Sequence, residues 1–128
     1  MTRRATSLAD SFRYASAGVR LLFATQRSAR LQALAAVAAF ALAAMLRVSA
    51  VEWAVLLTMS ALVLILETVN TALETVVDLV TTDYHPLAKQ AKDLSAGAVW
   101  LAALASLGVG ALLFVPRLWA LVALIGAR

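Results

Sequence analysis

Cysteine is absent from the 128 residues, which excludes disulfides, thiolate metal sites and cysteine nucleophiles. The single histidine, His85, has no spaced partner, so a helix-cap role is favoured over metal ligation. Neither a Gly-x-x-x-x-Gly-Lys loop nor a Gly-x-Gly-x-x-Gly element occurs, so the sequence does not support a soluble-kinase or dinucleotide-binding fold. Charged residues make up only 14% of the chain and hydrophobic residues 63%, above the roughly 45–50% of soluble domains. This composition excludes a soluble globular domain and predicts an integral membrane protein.

The apolar residues are gathered into segments long enough to cross a bilayer. We predict an all-α fold with one domain over residues 1–128, in which transmembrane segments occupy 31–48, 51–80 (with a cytoplasmic extension) and 86–115 (preceded by a cytoplasmic turn and helix). Residues 8–30 have apolar and basic side chains at helical spacing, which predicts an amphipathic helix in the membrane surface. The last apolar piece, 118–125, is too short to span. It either lies at the interface or extends the third helix beyond Pro116.

The eleven Lys and Arg residues are distributed unevenly along the chain. Eight precede the first span or separate the second from the third: Arg3, Arg4, Arg13, Arg20, Arg27, Arg30, Lys89 and Lys92. The other three are Arg47, Arg117 and Arg128. The positive-inside rule therefore predicts a cytoplasmic N-terminus in a multi-pass protein of the cell membrane. The net charge of +4 is then explained by the membrane surface, without nucleic acid, and the polar start of the chain argues against a cleaved signal peptide.

A polar stripe continues the second span. At 100° per residue its members fall within an arc of about 100°; they are Glu67, Asn70, Thr71, Glu74 and Asp78. We expect this face to be wet and the opposite face to be packed; the opposite face comprises Leu66, Val69, Leu73, Val76, Val77 and Val80. Glu67 follows an apolar run directly, and an ionisable group at that depth is a functional candidate. For Asp78 taken alone, a place on a solvated polar face is the preferred interpretation.

The loop after the stripe brings basic residues to the cytoplasmic side. Residues 83–86 form a predicted turn, with Pro86 at the first position of the next helix. Lys89, Lys92 and Asp93 lie on one face of that helix. Carboxylates and lysines at such a junction suit a magnesium-bound phosphate chain, although the lysines also fit ordinary positive-inside topology. A small channel or proton-coupled transporter would use Glu67 as well, but it leaves Lys92 and Asp93 without a role.

Two motifs resemble the prokaryotic diacylglycerol kinase and undecaprenol kinase family. The first is Glu67-x-x-Asn70-Thr71-Ala72-Leu73-Glu74-x-Val76-Val77-Asp78. The second is Asp83-Tyr84-His85-Pro86-Leu87-Ala88-Lys89, followed by Ala91-Lys92-Asp93 and Ala96-Gly97-Ala98-Val99. Tyr14, Gly18 and Arg20 fit the surface helix of the family, and the resemblance extends from about Ser11 to Pro116. The form of the loop at residues 85–88 is more similar to the undecaprenol kinase branch.

The resemblance implies an ATP-dependent lipid kinase that is a homotrimer, with active sites shared between subunits and ATP-Mg²⁺ entering from the cytoplasm. Glu67 would be the general base toward the hydroxyl of undecaprenol or diacylglycerol, Asn70 would help to position the reacting groups, and Asp78 would support the site. Glu74 would bind the metal that bridges the ATP phosphates. The implied nucleotide contacts are Tyr14, Glu74, Asp83, Tyr84, His85, Lys92 and Asp93.

One position departs from the family pattern. The family carries a second metal-binding glutamate on the surface helix where this chain has Gln26. The amide oxygen of Gln26 can coordinate a metal but brings no charge, so metal affinity should fall unless another acid such as Asp10 compensates. Phosphoryl transfer to a lipid alcohol is the leading hypothesis, and a catalytically impaired nucleotide-binding membrane protein is the alternative.

Overall fold

The computed structural model describes residues 7–126, so Arg3, Arg4 and Arg128 of the charge pattern lie outside the described residues. The described part consists of four α-helices without a strand: α1 (Leu8–Thr25), α2 (Arg27–Met45), α3 (Ala50–Val80) and α4 (Pro86–Gly126). The helices α2, α3 and α4 are long and apolar enough to cross a membrane. The predicted all-α class with three membrane-crossing helices is confirmed.

The helix α1 is shorter than the predicted surface segment 8–30. It starts at an N-cap, where the Ser7 side chain accepts a hydrogen bond from the backbone N–H of Asp10. It ends because Gln26 has an extended backbone, with φ −98° and ψ 114°. The guanidinium of Arg30 donates to the carbonyls of Phe23 (2.8 Å) and Ala24 (3.2 Å), which satisfies two carbonyls at the end of α1 that have no intrahelical partner. The chain therefore turns at Gln26, and 27–30 belong to α2.

A tight turn joins α2 to α3 at one end of the bundle. The backbone N–H of Val48 donates to Ala43 and that of Arg47 to Ala44, each at 3.2 Å, which is the Schellman pattern of a helix C-terminus. Arg47 has a φ of 51°, in the left-handed region that this pattern requires. Ser49 then caps α3 in a reciprocal capping box with Glu52. The turn makes α2 and α3 antiparallel.

The helices α3 and α4 share the largest interface, whereas the contacts of α1 with α2 and with α3 are few. At the end near the α2–α3 turn, Ala43, Val48 and Leu56 form a buried cluster. The Phe40 and Trp53 rings pack against it with their centroids 5.9 Å apart. These contacts fix the turn end of the bundle, and the polar residues lie toward the other end.

The helix α4 continues through Pro116 to Gly126. Of the two predictions for 118–125, the extension of the third helix is therefore confirmed. The guanidinium of Arg117 donates to both carboxylate oxygens of Glu52, at 2.8 and 2.9 Å. A single nitrogen, Nη2, makes both contacts, and the ion pair ties α4 to the start of α3.

The exposure of the two faces of α3 differs from our expectation at five positions. Val69, Val76 and Val80 of the apolar face are more than half exposed, whereas Glu67 and Asn70 are 5% and 9% exposed. The expectation is thus wrong at these five positions, whereas Leu66, Leu73 and Val77 are half-buried and Asp78 is exposed, as expected. In a membrane protein the surroundings are apolar, so valines can face outward while carboxylate and amide groups need partners inside the bundle.

Candidate active site

Glu67 has hydrogen-bond donors from α2 on both of its carboxylate oxygens. The Ser28 hydroxyl donates to Oε1, and the Gln32 amide Nε2 donates to Oε2 at 3.1 Å. Ser28 and Gln32 are four residues apart, so both lie on the same face of α2. At 1.5 Å per residue, Glu67 lies about 26 Å along α3 from Ala50, which is less than the roughly 30 Å thickness of a hydrocarbon core. Glu67 is therefore a buried carboxylate within a helix long and apolar enough to cross a membrane.

Asn70 connects Glu74 to α4. The Ser95 hydroxyl donates to Oδ1 of Asn70 at 2.6 Å, and Nδ2 of Asn70 donates to Oε1 of Glu74 at 3.1 Å. Because Ser95 donates to the amide oxygen, the Asn70 amide nitrogen is directed at Glu74. Glu74 keeps its second carboxylate oxygen available for a further donor or a cation.

Two lysine–aspartate pairs lie beyond Glu74. Lys92 Nζ is 2.6 Å from Asp78 Oδ1, which joins α4 to the end of the stripe. Lys89 pairs with Asp93 within α4. These pairs give Asp78 and Asp93 basic partners, as the acidic stripe requires.

The α3–α4 loop ends at a histidine cap. His85 Nδ1 accepts a hydrogen bond of 3.2 Å from the backbone N–H of Leu87, and α4 begins at Pro86. The predicted helix start at Pro86 and the cap role of His85 are confirmed. Instead of the turn predicted over residues 83–86, the chain bends at Thr82 and Asp83, and Pro86 is already helical. The cap fixes the orientation of the imidazole ring where the loop meets α4.

A polar groove of about 370 Å³ opens between the end of α3, the loop and the start of α4. This volume is within the roughly 300–1,000 Å³ of small-molecule sites. The structure thus brings together most of the predicted nucleotide residues and Asp78; the polar side chains that line the groove are those of Asp78, Thr81, Thr82, Asp83, Tyr84, His85, Lys89, Lys92 and Asp93. Carboxylates, hydroxyls and two ammonium groups therefore share one cleft.

A second groove of about 480 Å³ runs along the bundle between α2, α3 and α4. Small and apolar residues line it, including Ala36, Leu56 and Phe114, and Gln32 is one of its few polar residues. Since Gln32 bonds to Glu67, the apolar groove reaches the partners of the buried carboxylate. An alkyl chain is the kind of ligand that such a lining accommodates.

Five predicted site residues line neither groove. Glu67, Asn70 and Glu74 lie on α3 between the parts of that helix that line the two grooves, and the other two are Tyr14 and Gln26. Tyr14 lies on α1, is 47% exposed and has the guanidinium of Arg13 5.3 Å from its ring centroid. Gln26 lies at the break between α1 and α2. Neither residue is among those that line the polar groove. The Asp10 carboxylate is engaged at the start of α1, 3.0 Å from Arg13.

The sequence pattern of the prokaryotic diacylglycerol kinases matches residues 13–114 of this chain. The match includes the whole polar stripe, the loop and the start of α4. The chain belongs to the prokaryotic diacylglycerol kinase family. The resemblance found in the sequence, and with it the expectation of a membrane lipid kinase, is confirmed at the level of the family.

Individual relatives of the family carry two different names. A diacylglycerol kinase of Synechocystis is 52% identical over 91% of this chain and 67% of its own length. An undecaprenol kinase of Bacillus subtilis is 39% identical over 84% and 88%. A diacylglycerol kinase of Escherichia coli is 34% identical over 70% and 73%. The two comparisons favour different branches of the family. Over the whole alignment the identity is higher to a protein named diacylglycerol kinase, whereas the loop at residues 85–88 is more similar to the undecaprenol kinase branch.

The donor set around Glu74 fits a magnesium ion held together with a nucleotide. Among residues 7–126 no group of three or more carboxylate or histidine side chains is arranged for a metal. Magnesium in phosphotransferases is commonly held by one or two carboxylates, with substrate phosphates and water completing its shell. Glu74 has one carboxylate oxygen bonded to Asn70 and the other available, so it meets this requirement.

Sequence reasoning did not assign Ser28, Gln32 and Ser95 to the site. Gln32 gave a usable signal, because it is the one polar side chain in the apolar run 31–46 and an amide in hydrocarbon needs a partner. Ser95 lies one turn after Lys92, on the face directed at the stripe. For Ser28 the only signal is proximity to the start of a span.

Proposed function

We propose that this chain transfers the γ-phosphoryl group of ATP to the hydroxyl of a membrane lipid, undecaprenol or diacylglycerol, at the cytoplasmic face of the cell membrane. One observation carries this proposal. The buried carboxylate of Glu67 lies on α3 between an apolar groove and a polar one, since Val63 lines the first groove and Asp78 lines the second. Gln32, which bonds to Glu67, also lines the apolar groove. A lipid kinase needs an apolar and a phosphate-binding region on either side of a base.

Glu67 acts as the general base. The lipid oxygen attacks the γ-phosphorus, the bond between that phosphorus and the ADP oxygen breaks, and Glu67 takes the hydroxyl proton. A positioned base contributes about 10²- to 10⁴-fold to such a step. Asn70 orients Glu74 through its amide hydrogen bond, and Asp78 holds Lys92 in the cleft.

The polar groove receives the nucleotide. Lys92 supplies positive charge toward the phosphates, and Asp83, Tyr84, His85 and Asp93 contact the rest of the nucleotide. Glu74 would hold Mg²⁺, with Gln26 as a second, uncharged ligand; bound Mg²⁺ neutralises charge on the phosphates. Tyr14 also contacts the nucleotide in this proposal.

We further propose a homotrimer whose subunits share active sites. Tyr14 and Gln26 are outside the polar groove of their own chain, and a neighbouring subunit can bring such residues to a shared site. The exposed valines of α3 are available for lipid or subunit contacts. The N-terminus is cytoplasmic in this arrangement, because the basic residues of α1 and the two lysines at the start of α4, Lys89 and Lys92, lie at one end of the bundle.

The test compares Glu67→Gln with Glu52→Gln, which is the same substitution near the other end of α3. Purified protein in mixed micelles is given labelled ATP, Mg²⁺ and a lipid alcohol, and labelled lipid is extracted. Glu67→Gln should lose at least about 100-fold of transfer while ATP still binds, and Glu52→Gln should retain transfer. Normal transfer by Glu67→Gln would remove the base assignment.

A further inference from the structure

Both carboxylate oxygens of Glu67, the proposed base, already accept a hydrogen bond before a lipid hydroxyl arrives. Ser28 holds Oε1 of Glu67 and Gln32 holds Oε2, and Glu67 is only 5% exposed. A lipid hydroxyl that gives its proton to Glu67 must therefore share or replace one of these two donors. The two donors differ in chemistry and in surroundings.

Gln32 is the donor that stays. Its Oε1 is buried and has no hydrogen-bond partner. Because a carboxylate only accepts, the amide must present Nε2 to Glu67 and cannot turn over to satisfy Oε1. Removal of Nε2 from Glu67 would leave both ends of the buried amide unpaired, which is costly.

Ser28 is the donor that can leave. It is an exposed residue in the first turn of α2, so its hydroxyl can find water when it leaves Glu67. An aliphatic hydroxyl is also the group that a lipid alcohol presents. The Ser28–Glu67 contact therefore has the chemistry of the contact between acceptor and base.

We propose that the Ser28 hydroxyl is an internal stand-in for the lipid hydroxyl, which occupies Oε1 of Glu67 until the lipid replaces it, while Gln32 holds Oε2 throughout. This inference rests on the proposed role of Glu67 as the base. Without lipid, Ser28 keeps water from Oε1. A water at that place would attack the γ-phosphorus, lose its proton to Glu67 and release ADP and inorganic phosphate. Ser28 thus limits wasteful ATP hydrolysis and makes the base available when lipid arrives.

The experiment measures ATP hydrolysis without lipid, and the kcat and KM of transfer with increasing lipid, for Ser28→Ala, Ser28→Thr and Ser11→Ala. In Ser28→Ala, hydrolysis should rise and the lipid KM should fall, each about 3- to 10-fold, without a fall in kcat, because the lipid no longer displaces a charge-assisted hydrogen bond. Ser28→Thr keeps a hydroxyl and should restore wild-type values. Ser11→Ala removes an exposed hydroxyl on α1 that bonds only to a backbone carbonyl and serves as the control.

Gln32→Met should change the other kinetic constant: kcat should fall about tenfold and the lipid KM should change little. The reason is that this variant removes the hydrogen bond that holds the Glu67 carboxylate in place. Unchanged ATP hydrolysis and unchanged lipid KM in Ser28→Ala would overturn the inference, and so would a loss of kcat in that variant. Phosphorylation of the Ser28 hydroxyl in the wild-type protein would overturn it as well. If the wild type transfers phosphate and Glu67→Gln does not, any of these outcomes refutes only the proposed role of Ser28, and the base assignment of Glu67 stands. If Glu67→Gln keeps normal transfer, the base assignment is refuted as well.

Discussion

Replacement of Asn70 by aspartate tests the hydrogen bond between Asn70 and Glu74, the proposed metal ligand. Asn70→Asp keeps the shape of the side chain but puts an oxygen where Nδ2 now donates to Glu74 at 3.1 Å. Two unit charges at this separation repel by about 5 kcal/mol at an effective dielectric constant of 20, and by about 3 kcal/mol when the charge is spread over both oxygens. A repulsion of this size displaces Glu74 or retains a proton between the two groups.

We therefore expect Asn70→Asp to lower turnover at neutral pH by about 100-fold or more, since 1.4 kcal/mol corresponds to a factor of ten. The ratio of variant to wild-type turnover should rise as the pH falls, because a protonated carboxyl group can donate to Glu74 as the amide does. Asn70→Ser removes the amide without adding charge, so its ratio should be lower than one and independent of pH. Turnover is measured as labelled lipid from pH 5.5 to 8.5. A flat ratio for Asn70→Asp would refute the reasoning.

Three further variants test other contacts of the described structure. Lys92→Met should raise the KM for ATP about tenfold or more, because a cation leaves the phosphate-binding cleft, and Lys89→Met should raise it less; an equal rise would contradict the assignment of Lys92. Arg117→Met should lower the thermal unfolding temperature in detergent by a few degrees, since it removes the ion pair that joins α4 to the start of α3. The double variant with Glu52→Gln should unfold at nearly the same temperature as Arg117→Met alone, and additive losses would count against the pair. Gln26→Glu should lower the Mg²⁺ concentration for half-maximal turnover, and an unchanged requirement would exclude Gln26 as a ligand.

The helices and their order follow from the sequence because three apolar runs of membrane-spanning length have few structural alternatives. The helix start at Pro86 and the cap at His85 follow from local rules, since both depend on neighbours in the chain. The break at Gln26 does not, because the apolar and basic spacing continues through it. The break depends on Arg30, whose side chain folds back on the end of α1.

The parts of the site that consist of charged residues could be predicted from the sequence. Carboxylates and lysines at fixed spacing identify the stripe and the polar groove. The direction of the stripe was not predictable, since helical periodicity tells which residues share a face and not which face is buried. The contacts of Ser28, Gln32 and Ser95 join residues 25 to 39 positions apart, and uncharged polar residues carry no pattern that identifies such partners.

Transfer of labelled phosphate from ATP-Mg²⁺ to undecaprenol and to diacylglycerol, each offered alone in mixed micelles, tests the proposed function most directly. We predict labelled lipid phosphate with at least one of the two, absent when Glu67→Gln replaces the wild type. The preferred lipid would then decide between the two names that the relatives carry. ATP binding without transfer to either lipid would contradict the proposed kinase and favour a nucleotide-binding protein impaired at Gln26.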